Sequence, residues 1–189
     1  MRKVVLIADV SGSMEPYSRI YLHLMRGAVT SIDAEAFVFA TRLTHITRAL
    51  RGGHIDQAYQ KTSEVASDWS GGTKISLAIK DFIDSFGRRG MARGSVVVIV
   101  SDGWETGDPA QLAQVMQQLS RLAHHVIWVN PRKASVDYQP LVGGMAAALP
   151  YVDTFLSGHS VAALDQVVQA IRGVSDRSHG RTRADVLAR

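Results

Sequence analysis

The chain contains no cysteine, which removes disulfides, thiolate metal sites and thiol catalysis at the outset. It also has no apolar run near the roughly 20 residues that a membrane helix needs. Neither G-x-x-x-x-G-K-[ST] nor G-x-G-x-x-G occurs, so the two familiar glycine-rich phosphate cradles are missing. The opening Met1-Arg2-Lys3 and the short apolar run behind it look superficially like a secretory leader. That run meets Asp9 too early for an h-region, and no small-residue cleavage site follows, so it is read as a strand. A chain without cysteine and without such signals is expected in the cytoplasm, away from membranes.

What is present describes an ordinary soluble domain. The 189 residues are 46% apolar and 20% charged, enough to build one α/β domain with a real core and some length left over. The formal net charge of +4 is unevenly placed: from Arg172 onward there are five arginines against Asp176 and Asp185, so the end of the chain carries +3 of it. The division expected is a domain over 1–172 and a basic, disordered tail over 173–189. A near-neutral body argues against nucleic acid as the partner.

Apolar runs alternate with helical patterns. Val4–Ala8 is continuously apolar and reads as a buried central strand. Pro16–Ile32 is helical, with Tyr21, Leu24, Met25, Ala28 and Ile32 in register. Ala34–Ala40 and Leu43–Thr47 read as strands whose link is too short for a parallel crossover, so one of them runs antiparallel. His54–Ala66 is a weaker helical pattern, and Lys74–Phe86 a stronger one with Ile75, Ile79, Phe82 and Phe86 on one side. Ser95–Val100 is the most β-like segment. Asp108-Pro109 starts a helix with a carboxylate cap and a proline in the first turn, and Leu112, Val115, Met116, Leu119 and Leu122 form its stripe. His125–Val129, a short helix over Pro140–Leu149, a strand over Tyr151–Phe155 and a helix over Val161–Ile171 complete the body. Ser160 caps that last helix, and Val161, Leu164, Val168 and Ile171 face inward. The order implies a doubly wound α/β fold: a mainly parallel six-stranded sheet with one antiparallel edge strand and helices on both faces.

Such sheets bind ligands at the carboxyl ends of their strands, where the strand order reverses. Asp9-Val10-Ser11-Gly12-Ser13 lies at the end of the first strand and Ser101-Asp102-Gly103 at the end of the most β-like one. Ser70-Gly71-Gly72-Thr73 sets a third hydroxyl at a helix start. Oxygen donors carrying few fixed charges suit a hard divalent cation such as Mg²⁺, Mn²⁺ or Ca²⁺. Taken singly, Asp9 or Ser13 reads more simply as a helix cap; taken together the segments read as a cation site. With no metal present, Asp9 and Asp102 should repel each other. His124 and His125 open a strand with no third ligand in register, and no histidine stands in a motif that would activate Ser11 as a nucleophile.

Asp9, Ser11, Ser13, Thr73 and Asp102 together closely resemble the metal-ion-dependent adhesion site (MIDAS) of von Willebrand factor A (VWA) domains, D-x-S-x-S with a distant Thr and a distant Asp. Asp68-Trp69-Ser70-Gly71-Gly72-Thr73, Ser101-Asp102-Gly103-Trp104, Gly107-Asp108-Pro109, Trp128-Val129-Asn130-Pro131 and Ala148-Leu149-Pro150-Tyr151-Val152-Asp153 look like the CoxE-like branch of that family. The resemblance implies that Ser11 and Ser13 bind the ion directly and Thr73 directly or through water. Asp9 and Asp102 would reach it through water and orient the hydroxyls. An Asp or Glu carboxylate of a partner protein would fill the open position. Trp69 and Trp104 flank the metal loops either as a docking surface or as packing for the loops, and Glu105 is a docking candidate or a loop charge near the site. Longer members carry a region ahead of this domain, whereas here the chain opens almost directly on the first strand, as expected of a stand-alone or excised domain.

The function the resemblance implies is non-enzymatic. It is that of a metal-dependent interaction module working with a MoxR-type AAA+ ATPase in the maturation or remodelling of a client, a metalloenzyme among the possibilities. A Mg²⁺-dependent phosphohydrolase or nucleotide-binding enzyme is the alternative, although Ser11 stands where a phosphoaspartyl mechanism wants a second carboxylate. RNA binding through the basic tail is a further alternative, marked by steep salt dependence.

Overall fold

A computed structural model describes residues 2–52, 60, 73–133 and 143–176. The elements are β1 (Val4–Asp9), a 3₁₀ turn (Gly12–Met14), α1 (Glu15–Ile32), β2 (Glu35–Phe39), β3 (Leu43–His45) and α2 (Thr47–Arg51). After 73 come α3 (Ile75–Phe82), β4 (Val96–Val100), α4 (Pro109–Leu122), β5 (His125–Asn130), α5 (Gly143–Ala148), β6 (Thr154–Ser157) and α6 (Val161–Asp176). Apart from residue 60, the helix expected over His54–Ala66 lies outside the described residues, as do residues 177–189 of the expected tail.

The six strands form one sheet in the order β3-β2-β1-β4-β5-β6. All neighbours run parallel except β2 and β3, whose antiparallel pairing matches Phe37 with His45 and Phe39 with Leu43. The chain moves outward from β1 through β2 on one side and from β4 through β5 on the other. The order therefore reverses between β1 and β4, where a doubly wound sheet leaves a crevice at its carboxyl edge.

Alternation along the strands builds two apolar layers. Val4, Leu6 and Ala8 face Tyr21, Leu22, Met25 and Val29 of α1 and Leu164, Val167 and Ile171 of α6. Val5, Ile7, Phe37 and Phe39 face Ile75, Ile79 and Phe82 of α3, Leu112 and Met116 of α4 and Met145 of α5. Because β1, β4 and most of β5 are buried on both sides, they read as unbroken apolar runs.

Several boundaries differ from the sequence reading, each for a local reason. Thr47 leaves β3 to start α2, and its hydroxyl accepts the Ala36 N–H at 2.8 Å. The helix read over Lys74–Phe86 continues past Phe82 as a π-helical stretch, Ile83–Met91, broken by Gly90 at φ 110°. The last strand begins at Thr154, not Tyr151, because Leu149–Tyr151 forms a 3₁₀ turn with Pro150 in it. The inward stripe of α1 is rotated, burying Leu22 and Val29 while Leu24, Ala28 and Ile32 are half-covered. In α6, Val167 takes the fully buried place expected for Val168.

The start of α4 is as read, with Pro109 in the first turn and the Asp108 carboxylate accepting the Ala110 N–H at 2.9 Å. Asp108→Ala is expected to cost about 1 kcal/mol of stability. Urea unfolding would check it; an unchanged midpoint would show that the cap contributes nothing.

Candidate metal centre

The carboxyl ends of β1 and β4 lie side by side, Ala8 pairing with Val100, and the two segments that follow them carry the site. Beyond β1 the chain turns at once, because the Asp9 carboxylate takes the Ser11 N–H on Oδ1 at 2.9 Å. Ser11 and Ser13 then bring their hydroxyl oxygens to 3.4 Å from each other. The helix-cap reading of these residues does not hold: α1 has Met14 at its N-cap position, without a side-chain cap bond, and Pro16 in its first turn. Asp9 and Ser11 are buried, while Ser13 stands at the surface.

Beyond β4, Ser101 joins the two halves. Its hydroxyl donates to Asp9 Oδ2 at 2.8 Å and accepts the Gly103 N–H at 3.1 Å. Gly103 has φ +82°, a backbone state that favours glycine, and this turns the chain so that Asp102 Oδ1 accepts the Trp104 N–H at 3.0 Å. Asp102 Oδ2 is left buried and accepts no hydrogen bond. The nearest cation found on it is Arg132, with Nη1 at 3.8 Å.

Thr73 reaches the same edge from a third direction. Its carbonyl accepts both the N–H of Thr106, at 3.0 Å, and the Thr106 hydroxyl, at 2.8 Å. The next N–H, of Lys74, bonds to Ala40 O at 3.3 Å, just past β2. Thr73 is thereby held between the ends of β2 and the 101–107 loop, and is itself buried.

Glu105, read as a docking residue, has both oxygens engaged within the chain. Oε2 accepts the Ser76 N–H in the first turn of α3 at 2.7 Å, and Oε1 accepts the Gly107 N–H at 2.7 Å. A carboxylate at a helix N-terminus satisfies an otherwise orphaned donor and complements the dipole. Trp104 is 65% exposed, the largest apolar side chain at the surface among the described residues. Trp69 lies outside the described residues, as do Ser70, Gly71 and Gly72.

Burial pushes the Asp9 carboxyl up to about 6. Hydrogen bonds from Ser11 and Ser101 oppose that rise, and the nearby charge of Asp102 adds to it in smaller measure. The repulsion anticipated between the two carboxylates is thus present, but desolvation outweighs it.

Three residues of segments noted in the sequence take supporting roles that the sequence did not assign to them. Ser101 bridges the two carboxylate segments. Asn130, fully buried, donates from Nδ2 to Asp102 O at 2.9 Å and accepts the Arg132 N–H on Oδ1 at 2.8 Å. Trp128, also fully buried, donates from Nε1 to Ser101 O at 2.9 Å. The sequence signal for the last two was their place in Trp128-Val129-Asn130-Pro131, at the end of an apolar strand.

Two hydroxyls at the Asp9 turn and a buried carboxylate oxygen without a donor, with Thr73 buried at the same edge, are oxygen donors of the kind a hard cation takes. Among the described residues no three His, Cys, Asp or Glu side chains gather as a metal cluster.

Residues 1–164 match the family described as VWA domain containing CoxE-like protein. The chain belongs to this CoxE-like VWA family. Solved structures with the same fold include BatB from Bacteroides thetaiotaomicron, 18% identical, with a TM-score of 0.61 over 94% of this chain and 100% of that one. A von Willebrand factor type A protein from Catenulispora acidiphila is 15% identical, with a TM-score of 0.58 over 92% of this chain and 43% of that one. Proximal thread matrix protein 1 from the mussel byssus, solved with a zinc-occupied MIDAS motif, is 11% identical with a TM-score of 0.58, over 93% of this chain and 48% of that one. No curated protein matches the chain. At these identities the structural likeness establishes the VWA fold. Among the described residues no helix of this VWA domain is long and apolar enough to cross a membrane.

Proposed function

We propose that this VWA domain is a divalent-cation-dependent protein-interaction module that catalyses no reaction of its own. The observation that carries the reading is the buried, donorless Oδ2 of Asp102 at the strand-order reversal, on the loop that Ser101 bonds to Asp9 and Thr106 bonds to Thr73. A buried carboxylate oxygen without a partner is costly, and a cation at this edge relieves the cost. Ser11, Ser13 and Thr73 would hold the ion through hydroxyl oxygens, with Asp9 and Asp102 orienting them. Mg²⁺ is the ion we favour, and Mn²⁺ or Ca²⁺ satisfies the same oxygen chemistry. The zinc-occupied MIDAS motif of the mussel protein supports a divalent ion at this place in the fold.

When bound, the ion supplies an electrophilic position that accepts a carboxylate oxygen from an Asp or Glu of another protein. The protein's own residues do the rest: Ser101 fixes the Asp9 carboxylate, Asn130 holds the Asp102 backbone, and Trp104 offers apolar surface beside the site. Membership of the CoxE-like family supports a cytoplasmic MoxR-type AAA+ ATPase as partner, with a metalloenzyme as the client that the pair remodels.

The test is retention of the ATPase by the tagged chain in Mg²⁺ and its release by chelator. Ser11→Ala should weaken Mn²⁺ binding at least tenfold and abolish retention, while far-ultraviolet circular dichroism stays unchanged. Mg²⁺-dependent phosphatase activity lost on Asp9→Ala would overturn the non-enzymatic reading, and Mn²⁺ affinity unaffected by Ser11→Ala would overturn the site.

A further inference from the structure

Arg132 occupies an unusual position for a residue outside the ligand set. Its Nη1 lies 3.8 Å from Asp102 Oδ2, the one buried side-chain oxygen among the described residues that accepts no hydrogen bond. The Asp102 side chain is 2% exposed and that of Arg132 52% exposed, so the guanidinium approaches a buried charge from the solvent side. At 3.8 Å the contact is an ion pair without a hydrogen bond, which leaves the oxygen's lone pairs available.

The backbone holds this approach in place. The Asn130 side chain accepts the Arg132 N–H and donates to the Asp102 carbonyl, so a single buried amide fixes the two residues' backbones relative to each other. Lys133, next along, is committed elsewhere: its Nζ donates to Phe155 O at 2.9 Å and sits 4.4 Å from the centre of the Phe155 ring. Of the two cations at the end of β5, Arg132 is the one turned toward the site.

We propose that Arg132 is a tethered counter-cation that compensates Asp102 while the site holds no metal and competes with the divalent ion for it. The inference rests on the metal-binding reading above and adds a residue that sets the ion's affinity. An ion bound among Ser11, Ser13 and Thr73 meets a fixed positive charge beside Asp102, and their repulsion raises the ion concentration needed to fill the site. In exchange, Asp102 is not left as a buried carboxylate without a counter-charge, the arrangement that breaking a buried pair penalises most. Arg132 is a positioning residue here, acting on the ion through charge.

The experiment is a Mn²⁺ titration of the full chain, followed by electron paramagnetic resonance of free Mn²⁺, for wild type, Arg132→Gln and Arg132→Lys. Arg132→Gln should bind Mn²⁺ about 5–10-fold more tightly at low ionic strength, the scale of one unit charge acting on a divalent ion in a largely aqueous medium. The gain should shrink severalfold in 1 M KCl, where the screening length is about 3 Å. Arg132→Lys, which keeps the charge, should stay within about twofold of wild type. Without metal, Arg132→Gln should melt slightly below wild type and show the larger rise on adding Mn²⁺.

Equal or weaker Mn²⁺ binding by Arg132→Gln overturns the proposal while leaving the metal site standing. So does a gain insensitive to salt, or one reproduced in full by Arg132→Lys. Wild-type protein that binds no Mn²⁺ overturns the metal reading, and this proposal with it.

Discussion

Asp9→Asn is expected to raise the melting temperature of the metal-free protein at pH 7.5 while weakening Mn²⁺ binding about 10–100-fold. The second effect is the usual cost of losing a carboxylate that orients metal ligands. The first follows from burial. The folded chain holds the Asp9 carboxyl at about 6 against an ordinary 3.8, so ionising it in the fold costs on the order of 3 kcal/mol above pH 6. A carboxyl raised in the fold favours the folded state below its unfolded value of 3.8, and the benefit disappears as pH rises through about 6. The two proteins should therefore melt alike near pH 4, diverge between pH 4 and 6, and keep a constant gap above pH 7.

Part of that gain is returned, because an amide cannot accept from both Ser11 N–H and Ser101 Oγ as the carboxylate does. A net rise of roughly 5 °C is expected at the size of this domain. Melting curves in chelator across pH 4 to 8 give the answer. A lower melting temperature for Asp9→Asn at pH 7.5 would show that the hydrogen bonds of the charged form outweigh its desolvation.

Gly144→Ala is the second large effect. A methyl group at Gly144, near the start of α5, would lie 2.6 Å from both Gly103 O and Glu105 Cβ, distances at which something has to move. Gly103 O is backbone and Glu105 is pinned through both carboxylate oxygens, so neither is a loose side-chain end. The strain should cost about 1–3 kcal/mol and displace the loop that carries Asp102. Stability and Mn²⁺ affinity should fall together, although Gly144 contributes no side chain to the site. Denaturant unfolding paired with Mn²⁺ titration tests the coupling; lost stability with full affinity would show that the strain relaxes into α5 instead.

The sequence made the middle of the sheet legible and its periphery less so. Val4–Ala8 and Ser95–Val100 are apolar at every position because both faces are covered, a pattern that needs no knowledge of neighbours. Thr154–Ser157 is half-buried throughout and offers no such contrast, so the aromatic Tyr151 drew the expected strand too early. The π-helical stretch after Phe82 escaped for a related reason: Gly87 and Gly90 look like a stop, and the continuation depends on packing that buries Ile83 and Gly87.

Among the candidate donors, Asp9, Ser11 and Ser13 were visible as a spaced motif, and Thr106, on the loop that follows Asp102, bonds to the Thr73 carbonyl. Ser101 and Asn130 lie in segments that the sequence singles out, but their roles are not written there, and Arg132 carries no signal at all. Asn130 matters only because β5 lies beside β4 and places its amide against the Asp102 carbonyl. Glu105 was legible as a charge near the site, but its helix-capping duty toward Ser76 depends on where α3 begins. What a residue does with its neighbours along the chain was readable, and what it does across the sheet was not.

The β1–β4 pairing carries a consequence for biosynthesis. Val4, made well before its partner, pairs with Val96, and the hydroxyl of Ser101 closes the same seam onto Asp9. β1 must wait for β4 before it has a neighbour on that side, and contacts so distant in sequence are slow to close. An unfinished or misfolded copy therefore cannot display the Asp9 and Asp102 edge as a unit. Whatever grips that edge takes hold only of molecules whose central seam has already zipped, so the fold inspects itself before it is recruited.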